Sequence, residues 1–291
     1  MNTAITMNNS KYGRFGSGGA IIRSRGNEPL EDAEIIARCP SVFAQAKHNS
    51  RTERYTYLPT ADLLTGLRRE GFFPVEVRQG GSRDEIKRGF TKHLIRLRRD
   101  LNVRAENKTE VVLINSHDGT SSYQLMHGIF RMICSNGLIS GDFDGIKVGH
   151  RGNILDDVIE ASYTVVGESE RVVPMIEHWQ RLDLSRDEQT AFATAAKELR
   201  LNDDAEVRPD AILLPRRRED EGNDLWRVFN RAQENLVTGG IRYDTRDAQN
   251  RRIHRHVREV KSIDGNVKLN RALWTLAAEM AKLKGVEARA N

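Results

Sequence analysis

Apolar and polar residues along this chain follow two different periods, and the switch between them divides it. From Phe72 to Arg78, and again from Gly89 to Arg98, they alternate every second position, the period of a strand with one buried face. Gly80-Gly81-Ser82 separates these two runs. Val111 to Asn115 and Tyr123 to Ile133 are two more apolar runs, joined by Ser116-His117-Asp118-Gly119-Thr120-Ser121-Ser122. Asp-Gly at the centre of so short a polar link is a strong hairpin signal. Tyr55 to Leu58 and Ile146 to Val148 read as short flanking strands, the latter preceded by a turn at Asp142 to Gly145. Successive strands with short connections predict an antiparallel meander with helices packed on one face.

Helical spacing brackets that stretch. Ile35, Ile36, Val42 and Phe43 fit a helix interrupted at Pro40, and Leu63, Leu64 and Leu67 fit one that starts with Thr60 as N-cap and stops at Gly71. From Ile154 onward the period is helical almost throughout. Leu155, Val158 and Ile159 mark one helix and Val173 to Leu182 the next. Ser185 and Glu188 form a capping box for a third, and Asp224 caps a fourth that carries Leu225, Trp226, Phe229 and Leu236 to Gly239-Gly240. Val267 to Lys284 predicts the last helix, with Leu269, Leu273, Trp274, Leu276 and Met280 at core spacing; Trp226 and Trp274 are expected in the core. The pattern predicts an α+β protein: a sheet over about residues 55–150 against helices, with a mainly helical C-terminal half. Residues 30–285 read as a single domain, and the Gly-, Asn- and Ser-rich residues 1–29 as a flexible arm.

Composition narrows the class. With 38% hydrophobic and 30% charged residues and a mean hydropathy of −0.59, the 291-residue chain reads as globular, and no apolar run is long enough for a membrane span. The first ten residues lack a signal-peptide pattern, so the expected compartment is the cytoplasm of a bacterial host. Two cysteines, Cys39 and Cys134, cannot build a four-cysteine zinc site and read as buried thiols. A net charge of +5 comes from 46 basic and 41 acidic residues, so the distribution of the bases matters more than their sum.

That distribution is uneven. Arg242, Arg246, Arg251, Arg252, Arg255, Arg258 and Lys261, with His254 and His256, face only Asp244, Asp247 and Glu259. Arginine offers phosphate a planar two-donor fork, and the interleaved Tyr243 offers a ring on which a base can stack. A second group runs from Lys87 to Arg104. Strand alternation there places Lys92, Arg96 and Arg98 on one face, a row of charge about 6–7 Å apart that suits a single-strand backbone. Arg216-Arg217-Arg218 is a third group, weakened by the acids that follow. His117, Asp118, His127, Asp142, Asp144 and His150 contain metal-ligating types, but at no helical ligand spacing, and Asp118-Gly119 already has a turn to make. Cys134 lies in an apolar run where a thiol is inert, and Gly16-Ser17-Gly18-Gly19 lacks the Gly-Lys-Ser/Thr ending of a phosphate loop. No cofactor is expected.

Several blocks carry a likeness in order. Asn115 to Tyr123 (NSHDGTSSY), Phe130 to Leu138 (FRMICSNGL), Asp224 to Asn235, Gly239-Gly240, Arg258 to Lys261 and Leu269 to Ala277 together resemble the family called domain of unknown function 932, over roughly residues 30–285. The resemblance implies a protein of a phage, prophage or conjugative plasmid, and it assigns no catalytic residue. The expectation is therefore a mobile-element protein that binds DNA, single strands foremost, without chemistry. The alternatives are an interaction protein that inhibits a host defence enzyme, and a metal-dependent nuclease. A host protein or a second copy of the chain are further partners consistent with this reading; a membrane is not.

Overall fold

Strand alternation resolves into one antiparallel sheet. The computed structural model describes residues 19–25, 28–45, 58–99, 101, 107–131, 136–140, 145–150, 152–202 and 205–290. Among these, β1 (Ala20–Arg23), β2 (Phe73–Gln79), β3 (His93–Arg98), β4 (Asn107–Asn115) and β5 (Tyr123–Arg131) follow one another across the sheet. β6 (Asn136–Ile139) pairs with the last four residues of β5, and β7 (Ile146–Val148) with its first three, so the two share that edge. The turn between β4 and β5 falls where Asp118-Gly119 places it. Gly119 has φ +74°, and the Asp118 carboxylate accepts from the Thr120 amide at 3.0 Å.

Each face of the sheet has its own covering. On one face Val77, Ile95, Leu97, Val111, Leu113 and Leu125 meet α1 (Asp32–Arg38), α2 (Thr60–Arg69) and α4 (Ile154–Gly167) through Ile35, Leu63, Leu64, Leu67, Val158 and Val165. On the other, Leu94, Val112, Ile114, Met126 and Ile139 meet Ile263 and Val267, at the start of α9 (Ile263–Ala290). Helices thus cover both faces, not one.

The C-terminal half has a separate core. α5 (Ser169–Trp179), α6 (Arg186–Glu198), α8 (Leu225–Thr238) and α9 enclose Trp179, Phe192, Trp226, Phe229, Leu273 and Trp274, as the helical spacing predicts. Trp179 and Trp274 have ring centroids 4.7 Å apart, and Trp226 stacks on Phe229 at 5.5 Å. Ser185 and Glu188 complete their capping box, and the Asp224 side chain accepts from the Arg227 amide. The buried ion pair of Arg131 with Asp220 ties β5 to this helical half.

Some elements depart from the sequence expectation. Ala20–Arg23, placed in the arm, is a strand at the sheet edge, in register with Glu76–Gln79. Residues 1–18, 55–57, Cys134, Asp142 and Asp144 lie outside the described residues. Thr60 is the first helical residue of α2 rather than its cap, and its hydroxyl serves a buried cluster instead. No described helix is long and apolar enough to cross a membrane.

Candidate nucleic-acid interface

Charge alone does not suggest a strand over residues 242–256, yet the chain folds there into a separate hairpin. α8 ends at Gly239 and Gly240, both with positive φ, and a Cβ on Gly239 would sit 2.4 Å from the Val257 carbonyl. The chain reverses there into β8 (Arg242–Arg246), which pairs antiparallel with β9 (Arg252–His256). Asp247 closes the turn: its carboxylate accepts from the Gln249 and Arg251 amides, each at 2.9 Å, and Asn250 takes the left-handed φ of +61°. Thr245 is buried and Tyr243 packs against the helical core, so that side of the ribbon faces inward there, while Arg255, opposite Tyr243, stays exposed.

The register fixes the other side. Arg242 lies opposite His256, Asp244 opposite His254 and Arg246 opposite Arg252, so these six side chains share one face. A cavity of about 760 Å³ is lined by Arg242, Tyr243, Asp244, His254, Arg255 and His256. A second, of about 670 Å³, adds Arg200, Asn202 and Arg258 while sharing Tyr243 and Arg255.

The expected phosphate contacts here are of two kinds. Arg252 and His254 both bond to Asp244, and their hydrogen bonds pull its carboxyl below the usual range; Arg251 pairs with Asp247 at 2.8 Å. Arg246 bonds to the Asn250 carbonyl at 3.1 Å. Arg242, Arg255, Arg258 and Lys261 are exposed, and none has an acidic side chain within ion-pair distance among the described residues.

The row expected on β3 is not a surface. Arg96 and Arg98 do share a face, but they are 1% and 3% exposed. Arg96 donates to Glu110 at 2.9 Å and to the Leu138 carbonyl, and Arg98 donates to Glu110 at 2.8 Å. Arg23 and Arg78 grip Glu76 on the same face, each at 2.6 Å. Burial would raise the Glu76 carboxyl; Arg78, Arg96 and Arg23 outweigh it and hold it down at about 2. Gly128 makes room for this ladder, since a Cβ there would lie 3.0 Å from the Arg96 guanidinium. Lys92 pairs with Asp264 at 2.7 Å and anchors α9 to the sheet. Arg216 and Arg217 are likewise taken up, by Asn235 and by Asp220 and Glu234.

The hairpin histidine is structural too. Thr60 Oγ1 lies 3.1 Å from His93 Nε2, from His117 Nε2 and from Asn115 Nδ2, and the Ser41 hydroxyl meets His93 Nδ1 at 3.2 Å. Burial, with the neighbouring His117, pushes His93 down to about 3; burial, with His150, pushes His117 down to about 4. His127, also buried, is lowered to about 4. No group of three metal-ligating side chains is found among the described residues. The sequence pattern did not suggest this cluster, nor the Asp244–His254 pair, because both depend on strand register and on contacts distant in sequence.

Comparison with known proteins covers most of the chain. The model of the domain of unknown function family DUF932 matches residues 47–274. The chain belongs to this family. Two Escherichia coli K12 relatives, the UPF0380 proteins YfjQ and YafZ, are each 46% identical over 266 residues, covering 91% of this chain and 95% of the relative. The match runs through β2 to β7, α8, the β8–β9 hairpin and the first turns of α9, while β1 and α1 lie before it. No solved structure gives a match.

Proposed function

We propose that this DUF932 protein binds single-stranded DNA, without chemistry on it, along the β8–β9 ribbon and the segment that follows it, in the service of a mobile element. One observation carries the reading: Arg242, Arg255 and Arg258 stand exposed around two adjoining cavities that share Tyr243, exposed Lys261 follows them in the chain, and among the described residues none of the four has an acidic side chain within ion-pair distance. Unpaired guanidinium groups donate to phosphate without first breaking an ion pair. Tyr243, held on one side by the helical core, presents the remainder of its ring where a base can stack. The buried β3 arginines take no part.

Photocrosslinking tests the placement. A bromodeoxyuridine oligonucleotide irradiated with the protein gives an adduct within residues 242–258, mapped by mass spectrometry. Adducts confined to the sheet or to α1–α2 would sink the assignment.

A further inference from the structure

The outward face of the ribbon holds a second arrangement, which phosphate binding alone does not use. In-register pairing makes a square of Arg242 opposite His256 and Asp244 opposite His254. His254 Nδ1 lies 2.5 Å from Asp244 Oδ1. A carboxylate only accepts, so Nδ1 carries a proton, and in the neutral ring the Nε2 lone pair is left free. Asp244 is itself fixed by Arg252. His256 follows two residues later on the same face, about 6–7 Å along the strand, and Arg242 stands across from it. All four side chains border the 760 Å³ cavity. A carboxylate-oriented imidazole, a second imidazole and a cation bordering one cavity make up an acid–base pair for phosphodiester chemistry.

We infer that this face cleaves single-stranded RNA by metal-independent transphosphorylation, with His254 as general base, His256 as general acid and Asp244 as the residue that positions His254. The inference rests on the nucleic-acid reading of the same ribbon. His254 Nε2 takes the proton of a ribose 2′-hydroxyl, and the 2′ oxygen forms a bond to the adjacent phosphorus. The bond from phosphorus to the 5′ oxygen breaks. That oxygen leaves with its electron pair and receives the proton of the His256 imidazolium. Arg242 holds the non-bridging oxygens as charge develops on them. The products are a 2′,3′-cyclic phosphate and a 5′-hydroxyl, and neither water, metal nor oxidant is consumed. DNA lacks the 2′-hydroxyl, so the same face binds it without cutting it.

The test uses the full chain with EDTA and a fluorescent single-stranded RNA, beside its 2′-O-methyl form and the DNA of the same sequence. Anisotropy reads binding, and gel and mass analysis read cleavage. The expected result is binding of all three and cleavage of the unmodified RNA alone, leaving 2′,3′-cyclic phosphate ends. At saturating RNA, His254→Ala and His256→Ala each slow cleavage by about 10²-fold or more. Asp244→Asn lowers kcat with KM little changed. RNA that binds and stays intact overturns this inference and leaves the binding reading standing. No binding of any of the three overturns both. Cleavage that persists in the His254→Ala/His256→Ala double variant, or that also cuts the 2′-O-methyl strand, overturns the assignment.

Discussion

Thr60 has one hydroxyl proton and two lone pairs, and this limits what its neighbours can do. Asn115 Nδ2 donates into one lone pair; one imidazole can donate into the other, and the hydroxyl proton goes to the remaining imidazole. Protonating His93 and His117 together would leave one N–H without an acceptor in a site where both rings are fully buried. Burial is the larger cause of their lowered proton affinity, and this shortage of acceptors adds to it. The unfolded chain titrates near 6.5 and the folded one near 3 and 4, so below pH ~6.5 the unfolded state binds more protons. Stability contributed by these neutral rings is therefore complete above pH ~6.5 and is lost as pH falls toward 4 and then 3. About 2 kcal/mol per buried histidine should go between pH 7 and 5, before carboxylates such as Glu76 titrate. Urea midpoints across that range check this, and a His93→Gln variant should show a flatter profile. A wild-type midpoint that stays level from pH 7 to 5 would contradict the neutral assignment.

Among the elements, the helices of the C-terminal half depend most on their aromatic cluster. Trp274 contacts Trp179, Trp226 and Phe229, with centroids 4.7 to 6.4 Å apart. Trp274→Ala should cost about 3–5 kcal/mol, read from chemical denaturation; an unchanged midpoint would contradict its placement. Trp226 and Trp274 were legible in the sequence because leucine, phenylalanine and methionine recur around them at helical spacing. The β4–β5 hairpin was legible because Asp118-Gly119 permits few other conformations. β1 was hidden by its four-residue length beside a glycine-rich segment, since its pairing with β2 is a tertiary fact. The β8–β9 ribbon was hidden by charge, because only Thr245, Ile253 and Tyr243 mark its inward side. On β3 alternation grouped Arg96 with Arg98 correctly. It could not reveal that Glu110 and Glu76, on the neighbouring strands, neutralise that face under cover.

At the scale of the molecule, a sheet with both faces covered and a separate helical core leave the β8–β9 ribbon exposed, with Arg242 and Arg255 outside ion-pair distance of any acidic side chain among the described residues. The buried ladder shows why a charge count misleads: cations locked to Glu76 and Glu110 are unavailable to a ligand, whatever they add to the net charge. Binding should therefore depend on Arg242, Arg255, Arg258 and Lys261 far more than on Arg251 and Arg252, which Asp247 and Asp244 already occupy. The most direct measurement is fluorescence anisotropy of single- and double-stranded oligonucleotides across a salt series. Four phosphates neutralised on a single strand predict that log K falls with log salt at a slope of about −3, with single strands bound more tightly than duplex. The Arg242→Ala/Arg255→Ala variant should bind all sequences more weakly, with a slope shallower by about 1.4, while Arg251→Ala changes little. No measurable affinity for any oligonucleotide at low salt, or a slope unmoved by the double substitution, would contradict the account.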